Sequence, residues 1–226
     1  RLKKFIADIM MTWEPMPSVH GSFVEFASQY NGKGIPVLTT NYDHLLKEAY
    51  ALGAKERSIR AFGDADRRTR YLFNRRYSLS DLLEDSISNN FAIWHIHGDI
   101  ENPLSIKVSS SDYAGLLANY KNGFTSEYSW LRIFKENDLV ILGLSLDLSE
   151  YPLRWLLYDR MVGLRSNSVN SRTIYCDIQN KTPDGKRFYF ESIGVEVMDG
   201  FDSYDEMYAQ FGVAKSGKTM NKIESS

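Results

Sequence analysis

Three short stretches concentrate the residues able to do chemistry. Thr39, Thr40, Asn41 and Asp43 stand together, His95, His97, Gly98 and Asp99 form a second group, and Gly143, Ser145 and Asp147 a third. An Asn amide donates and accepts hydrogen bonds at once, so Asn41 is able to hold a water and a hydroxyl together. An imidazole changes charge near neutral pH, which suits His97 to take a proton. His95, His97 and Asp99 also alternate along the chain, the way some metal-dependent hydrolases present ligands. That class needs further ligands, and the other two histidines, His20 and His44, read as surface residues. Each group has a plainer reading beside the chemical one. Asn41, Thr40 and Asp43 suit the start of a helix. His95 reads as a hydrogen-bonded core histidine, and Ser145 and Asp147 as strand terminator and helix cap.

The elements that position these groups follow from hydrophobic spacing. Residues 35–38 are a short apolar run rich in β-branched side chains, a strand buried on both faces. From His44 onward, Leu45, Leu46, Ala49 and Tyr50 recur at helical spacing. Residues 91–96 and Leu139–Leu142 are further strands, running into His97 and Gly143, and 173–177 and 195–198 complete five. Helices are predicted over 2–11, 18–30, 80–89, 109–120, 126–135, 150–163 and 204–211. Residues 181–186 read as a polar connection. Residues 53–90 form a small insertion, exposed over 53–77 with a helix at 80–89, and 215–226 form a disordered tail on a domain of 1–214. Strands alternating with helices specify an α/β fold, a Rossmann-like, doubly wound, mostly parallel sheet with helices on both faces. Such sheets gather ligand chemistry at the carboxyl ends of their strands, where all three groups lie.

Composition narrows the function classes. The net charge of −2 and pI near 6.1 provide no basic field for nucleic acid. Arg67, Arg68, Arg70, Arg75 and Arg76 cluster, as a solvated surface does. The single cysteine, Cys176, excludes an internal disulfide and a cysteine-built zinc site, and its apolar neighbours make it a core residue. Trp94, Trp130 and Trp155 also read as core. No apolar run reaches the roughly 20 residues a membrane span needs, and no secretory signal opens the chain, so a cytoplasmic protein is expected. The chain opens on Arg1 directly in a helix pattern, as a piece of a longer polypeptide does.

The order of the three groups resembles the sirtuin-like NAD-binding domain family, and is most similar to its bacterial branch of antiphage-defence NAD hydrolases. There one strand ends in Thr/Gln-Asn-x-Asp, a later one in His-Gly and a further one in Gly-x-Ser. In the bacterial branch an Asp and a helix rich in Trp and Leu follow. Here these read Thr40 to Asp43, His97-Gly98, and Gly143 to Ser145 with Asp147, Trp155, Leu156 and Leu157. The serine run from Ser109 into Asp112 and Tyr113 looks like a helix start common in that branch.

The resemblance covers roughly residues 35–160. It implies Asn41 and His97 as catalytic residues, Asp43 on the nicotinamide side, and Ser145 near the ribose and phosphates. Thr39, Thr40, Gly98, Gly143 and Asp147 join the NAD-contacting set. NAD is the implied substrate of a glycohydrolase releasing nicotinamide and ADP-ribose, acting in antiviral defence as a homo-oligomer or with a partner protein. Neither a membrane nor direct nucleic-acid binding is expected. No metal is assigned, because the four-cysteine zinc module of the protein deacylases cannot be built from one cysteine. The Gly-rich turn that opens the family is expected upstream of Arg1 or absent, since Gly32-Lys33-Gly34 precedes a strand instead of following one. Two alternatives stand beside this: a non-catalytic sirtuin-like module binding a nucleotide or partner, and a metal-dependent hydrolase using His95, His97 and Asp99.

Overall fold

The computed structural model describes residues 2–13, 17–30, 34–50, 91–114, 130–147, 150–166 and 171–212. The expectations for the insertion, its helix at 80–89, the arginine cluster and the tail lie outside the described residues. The elements in chain order are α1 (Leu2–Met10), α2 (Ser22–Gln29), β1 (Val37–Thr39), β2 (Ile93–His95) and α3 (Trp130–Glu136). They continue with β3 (Leu139–Leu142), α4 (Tyr151–Arg165), β4 (Thr173–Ile178), α5 (Asp184–Ser192), β5 (Glu196–Phe201) and α6 (Tyr204–Gly212). Residues 45–50 and 110–114 are also helical. Both ladders are parallel: β1 pairs β2 with Thr39 opposite His95, and β3, β4 and β5 pair in that order.

Side chains alternate between two apolar layers, as the period of a strand requires, up to a register irregularity between β4 and β5 at Cys176–Ile178. Val37, Ile93, Leu142, Ile174, Cys176 and Met198 face one layer, where Phe23 and Phe26 of α2 pack against both ladders and α6 adds Met207. Leu38, Trp94, Ile141 and Tyr175 face the other, against Leu131 and Phe134 of α3, Leu153, Leu156 and Leu157 of α4, and Phe190 of α5. Helices therefore cover both faces, the doubly wound α/β arrangement expected from the sequence. Cys176 is a buried free thiol in this core, pushed up to about 12 by burial and then by the Asp177 charge. No helix among the described residues is long and apolar enough to cross a membrane.

One expectation is overturned. Residues 181–186 do not remain a connection but lead into α5. Phe188, Tyr189 and Phe190 in succession hide the helical period, because Phe190 is fully buried while Phe188 is 74% exposed. The end signals are nonetheless present. Pro183 and Asp184 open the helix, and Gly194, at φ +75, closes it with Gly194 N–H to Glu191 O and Val195 N–H to Phe190 O.

The amino ends of β3 and β4 are tied by one buried arginine. Arg160 of α4 is 1% exposed. Its Nε donates to Thr173 Oγ1 at 2.7 Å. Its Nη1 donates to the carbonyls of Phe134 and Lys135 at 2.6 and 2.7 Å, and Nη2 to those of Asn137 and Arg172 at 2.6 and 2.8 Å. The guanidinium thus satisfies carbonyls left open at the end of α3, where a cation also suits the helix dipole.

Candidate active site

The carboxyl ends of β1 and β2 carry two separate polar clusters. The first follows from how β1 stops. Asn41 N–H donates to Thr39 Oγ1 at 3.1 Å, turning the chain out of the strand. Asp43, 6% exposed, accepts the Leu45 N–H at 3.0 Å and so opens the helix over 45–50. Tyr42 reaches away from this turn, its hydroxyl donating to Lys107 O at 2.7 Å. Asn41 itself is exposed, and Thr40 is half-buried.

His95 and Asp99 join this first cluster. The His95 Nδ1 lies 3.0 Å from Asn41 O, and since a carbonyl only accepts, that nitrogen carries the proton. His44 Nε2 lies 2.5 Å from Asp99 Oδ1. The expectation of a surface His44 is therefore wrong: its side chain is 11% exposed. It opens a helix, and at that point the chain folds back over β2. Burial works to raise the Asp99 carboxyl, but the His44 hydrogen bond and charge outweigh it and hold the group below its usual range. Burial pushes the His95 imidazole down, against the pull of Asp99.

His97 belongs to the second cluster. β2 ends at His95, so residues 96 and 97 lie in a turn and strand alternation no longer governs them. The alternative metal set of His95, His97 and Asp99 therefore does not assemble; His44 joins His95 and Asp99 instead. His97, 3% exposed, instead lies with Nδ1 3.3 Å from the Tyr113 hydroxyl and Nε2 3.9 Å from Glu150 Oε2. Both His97 Nε2 and Glu150 Oε2 are shut off from solvent with no hydrogen-bond partner among the described residues. Burial, then the Lys107 charge, pushes His97 down to about 4, so the ring is neutral at pH 7. Burial and the Asp147 charge raise Glu150.

Tight backbone geometry holds this second cluster. Gly98 has φ +100, and a Cβ there would lie 2.3 Å from Ser105 O, so only glycine lets the turn at Pro103–Ser105 close on it. The Tyr113 helix starts with a reciprocal cap. Ser109 N–H donates to Asp112 Oδ2 at 3.0 Å, and Asp112 N–H returns to Ser109 Oγ at 3.4 Å.

The third stretch is placed differently. Gly143 has φ +61, with the Tyr208 hydroxyl 2.6 Å from where a Cβ would sit. Ser145 and Asp147 are exposed. Asp147 lines an open cleft of about 710 Å³ with Arg154, Lys181, Lys186 and Tyr189, on the α5 side of the strand ends. It reaches the second cluster through the backbone, where Glu150 N–H donates to Asp147 O at 2.9 Å. The sequence reading missed Glu150, Tyr113 and His44. Glu150 lay inside the recognised Gly-x-Ser segment, but nothing in its spacing marks it as facing His97.

No curated protein matches the chain. A family model of the SIR2-like domain matches residues 36–151, a little over half of the 226, and so spans β1, β2, β3 and all three polar groups. A SIR2-like domain implies NAD binding or use. On that match and this parallel α/β fold, the chain belongs to the SIR2-like domain family.

Proposed function

We propose that this protein is an NAD+ glycohydrolase, cleaving NAD+ to nicotinamide and ADP-ribose as an effector of bacterial defence against phage. The observation that carries the reading is the pair His97 Nε2 and Glu150 Oε2, 3.9 Å apart, buried and without hydrogen-bond partners among the described residues. Buried polar atoms rarely stay unpaired, and where they do a ligand or catalytic role is a physical explanation. The pair lies at the carboxyl ends of strands, where open α/β sheets bind ligands.

The chemistry suits these groups. Breaking the bond from ribose to nicotinamide passes through an oxocarbenium-like centre, as in glycoside hydrolysis. The leaving group is already cationic, so no strong acid is required. A held water, an acceptor for its proton and a dry pocket suffice. His97, neutral and buried, and Glu150 beside it are the acceptors. Asn41, exposed on the neighbouring turn, offers an amide for water and a ribose hydroxyl. Asp43 shapes the nicotinamide side by holding the turn, while Ser145 and Asp147 serve the ribose and phosphate end with Thr39, Thr40, Gly98 and Gly143. By analogy with the family, activity is held in check by a homo-oligomer or a partner chain.

Incubation of the full chain with NAD+, following nicotinamide and ADP-ribose, tests this. Release that falls by about 100-fold or more in both Asn41→Ala and His97→Ala is expected. Release that survives both substitutions overturns the assignment. NAD+ binding without turnover favours the non-catalytic module instead.

A further inference from the structure

The cluster behind Asn41 is separate from the His97–Glu150 pair. His44, His95 and Asp99 each offer one donor atom, and these atoms lie within 4.8 Å of one another. His95 is 3% exposed, and with Nδ1–H given to the Asn41 carbonyl its Nε2 is a bare lone pair. That Nε2 is closed to solvent and has no hydrogen-bond partner among the described residues. Its ring meets the His44 ring edge to face, centroids 5.5 Å apart. Asp99 is held in place by the Glu101 N–H, which donates to its Oδ1 at 2.7 Å.

We propose that His44, His95 and Asp99 form a binding site for a divalent transition-metal ion of the zinc class. Two imidazoles and one carboxylate are the donor set of three-ligand zinc sites, which keep a fourth position open. Calcium and magnesium prefer all-oxygen shells and do not suit it. Tetrahedral bonds of about 2.0–2.1 Å set donor atoms about 3.3 Å apart. The 2.5 Å contact between His44 and Asp99 therefore opens by under about 1 Å and the wider separations close, changes within reach of side-chain torsions.

The outer contacts are those a metal histidine needs. His95 already donates its second ring N–H to a backbone carbonyl. His44 Nδ1 lies 3.5 Å from Glu101 Oε1, so once Nε2 binds metal the proton on Nδ1 faces a carboxylate. Lys47 Nζ, 4.0 Å from Asp99 Oδ2, is paired with Glu101 Oε2 at 3.7 Å and lies at the oxygen away from His44. The ion would tie the start of the 45–50 helix to the end of β2 and, through His95, to the carbonyl of Asn41. Its place is beneath the Asn41 turn, and the proposal stands independently of the NAD reading.

The test uses the full, tag-free chain, stripped with a chelator and dialysed. Zn2+ is titrated by calorimetry and Co2+ by its visible bands, with melting curves alongside. One ion per chain, four-coordinate Co2+ bands and a Tm that rises with Zn2+ are expected. Affinity should fall by about 100-fold or more in His44→Ala, and by about 10-fold in Glu101→Gln, which removes only the outer carboxylate. Absence of stoichiometric binding by the wild-type chain overturns the proposal without recourse to any variant. Undiminished binding by a folded His44→Ala chain overturns it too. If His44→Ala does not fold, the Glu101→Gln affinity decides, and an unchanged value overturns the site.

Discussion

The two ends of the strands bury polar groups in opposite ways. At the amino ends of β3 and β4, Arg160 spends its donors on four carbonyls and a hydroxyl, all at 2.6–2.8 Å. At the carboxyl ends, His95 Nε2, His97 Nε2 and Glu150 Oε2 are equally buried and unpaired among the described residues. Burying a polar group costs free energy unless a hydrogen bond replaces water. At Arg160 the amino end recovers that cost within the chain and so serves stability, although Ser171 Oγ nearby is buried without a partner among the described residues. Among the described residues the carboxyl end does not recover it, which is what a site for something other than the chain looks like.

The contrast can be broken from either side, beginning with the largest effect. Arg160→Met leaves its acceptors without a partner and should cost about 3–5 kcal/mol in urea unfolding, a large share of an ordinary domain's stability. Arg160→Lys should recover little of it, since an ammonium cannot copy the planar fork. A stability loss below about 1 kcal/mol in Arg160→Met would show the amino end to be no better satisfied than the other.

Glu150→Gln probes the carboxyl end. It removes the charge of a half-buried carboxylate whose Oε2 is closed to solvent and has no hydrogen-bond partner among the described residues, so stability should hold or rise by up to about 1 kcal/mol. NAD+ cleavage by the same variant should drop by about 100-fold. A fall in both stability and turnover would make Glu150 a structural group like Arg160.

Smaller effects sharpen the boundary of the site. Gly98→Ala places a Cβ against Ser105 O at a φ of +100, and should cost about 1–3 kcal/mol in thermal unfolding with a larger fractional loss of turnover. Equal stability in Gly98→Ala would mean the turn relaxes freely. The smallest change is at the rim. Lys3 Nζ meets Asp112 Oδ1 at 2.7 Å on a partly exposed surface, and Lys3→Ala should cost under about 0.5 kcal/mol. The Lys3 hydrogen bond, with those of Ser109 and the Val108 N–H, outweighs burial and holds the Asp112 carboxyl below its usual range. Its contribution is therefore present above about pH 4, the ordinary carboxylate value, and fades as pH falls below it. An effect of Lys3→Ala that persists unchanged in strong acid would exclude the ion pair as its source.

Much of the architecture was legible in advance, because it rests on periodicity. The apolar run at Leu139–Leu142 and the run through Ile174, Tyr175 and Cys176 declare parallel strands by residue type alone, although Val140 of the first is 41% exposed. The three polar stretches were legible as well, since polar residues that end apolar runs interrupt a pattern that is otherwise kept. The helix Asp184–Ser192 was not, because three aromatic residues in a row carry no helical period.

By itself, then, the sequence determined most of the elements, α5 excepted, which strand ends carry polar clusters, and that one cysteine sits in the core. Only the tertiary structure decided which polar residues meet. His44 and Asp99, 55 residues apart, touch because a helix start folds over a neighbouring strand end. His97 leaves His95 for Glu150 because the strand stops between them and the alternation lapses. Local spacing specifies local geometry, whereas the partner of a side chain across the sheet is set by packing, which no single stretch encodes.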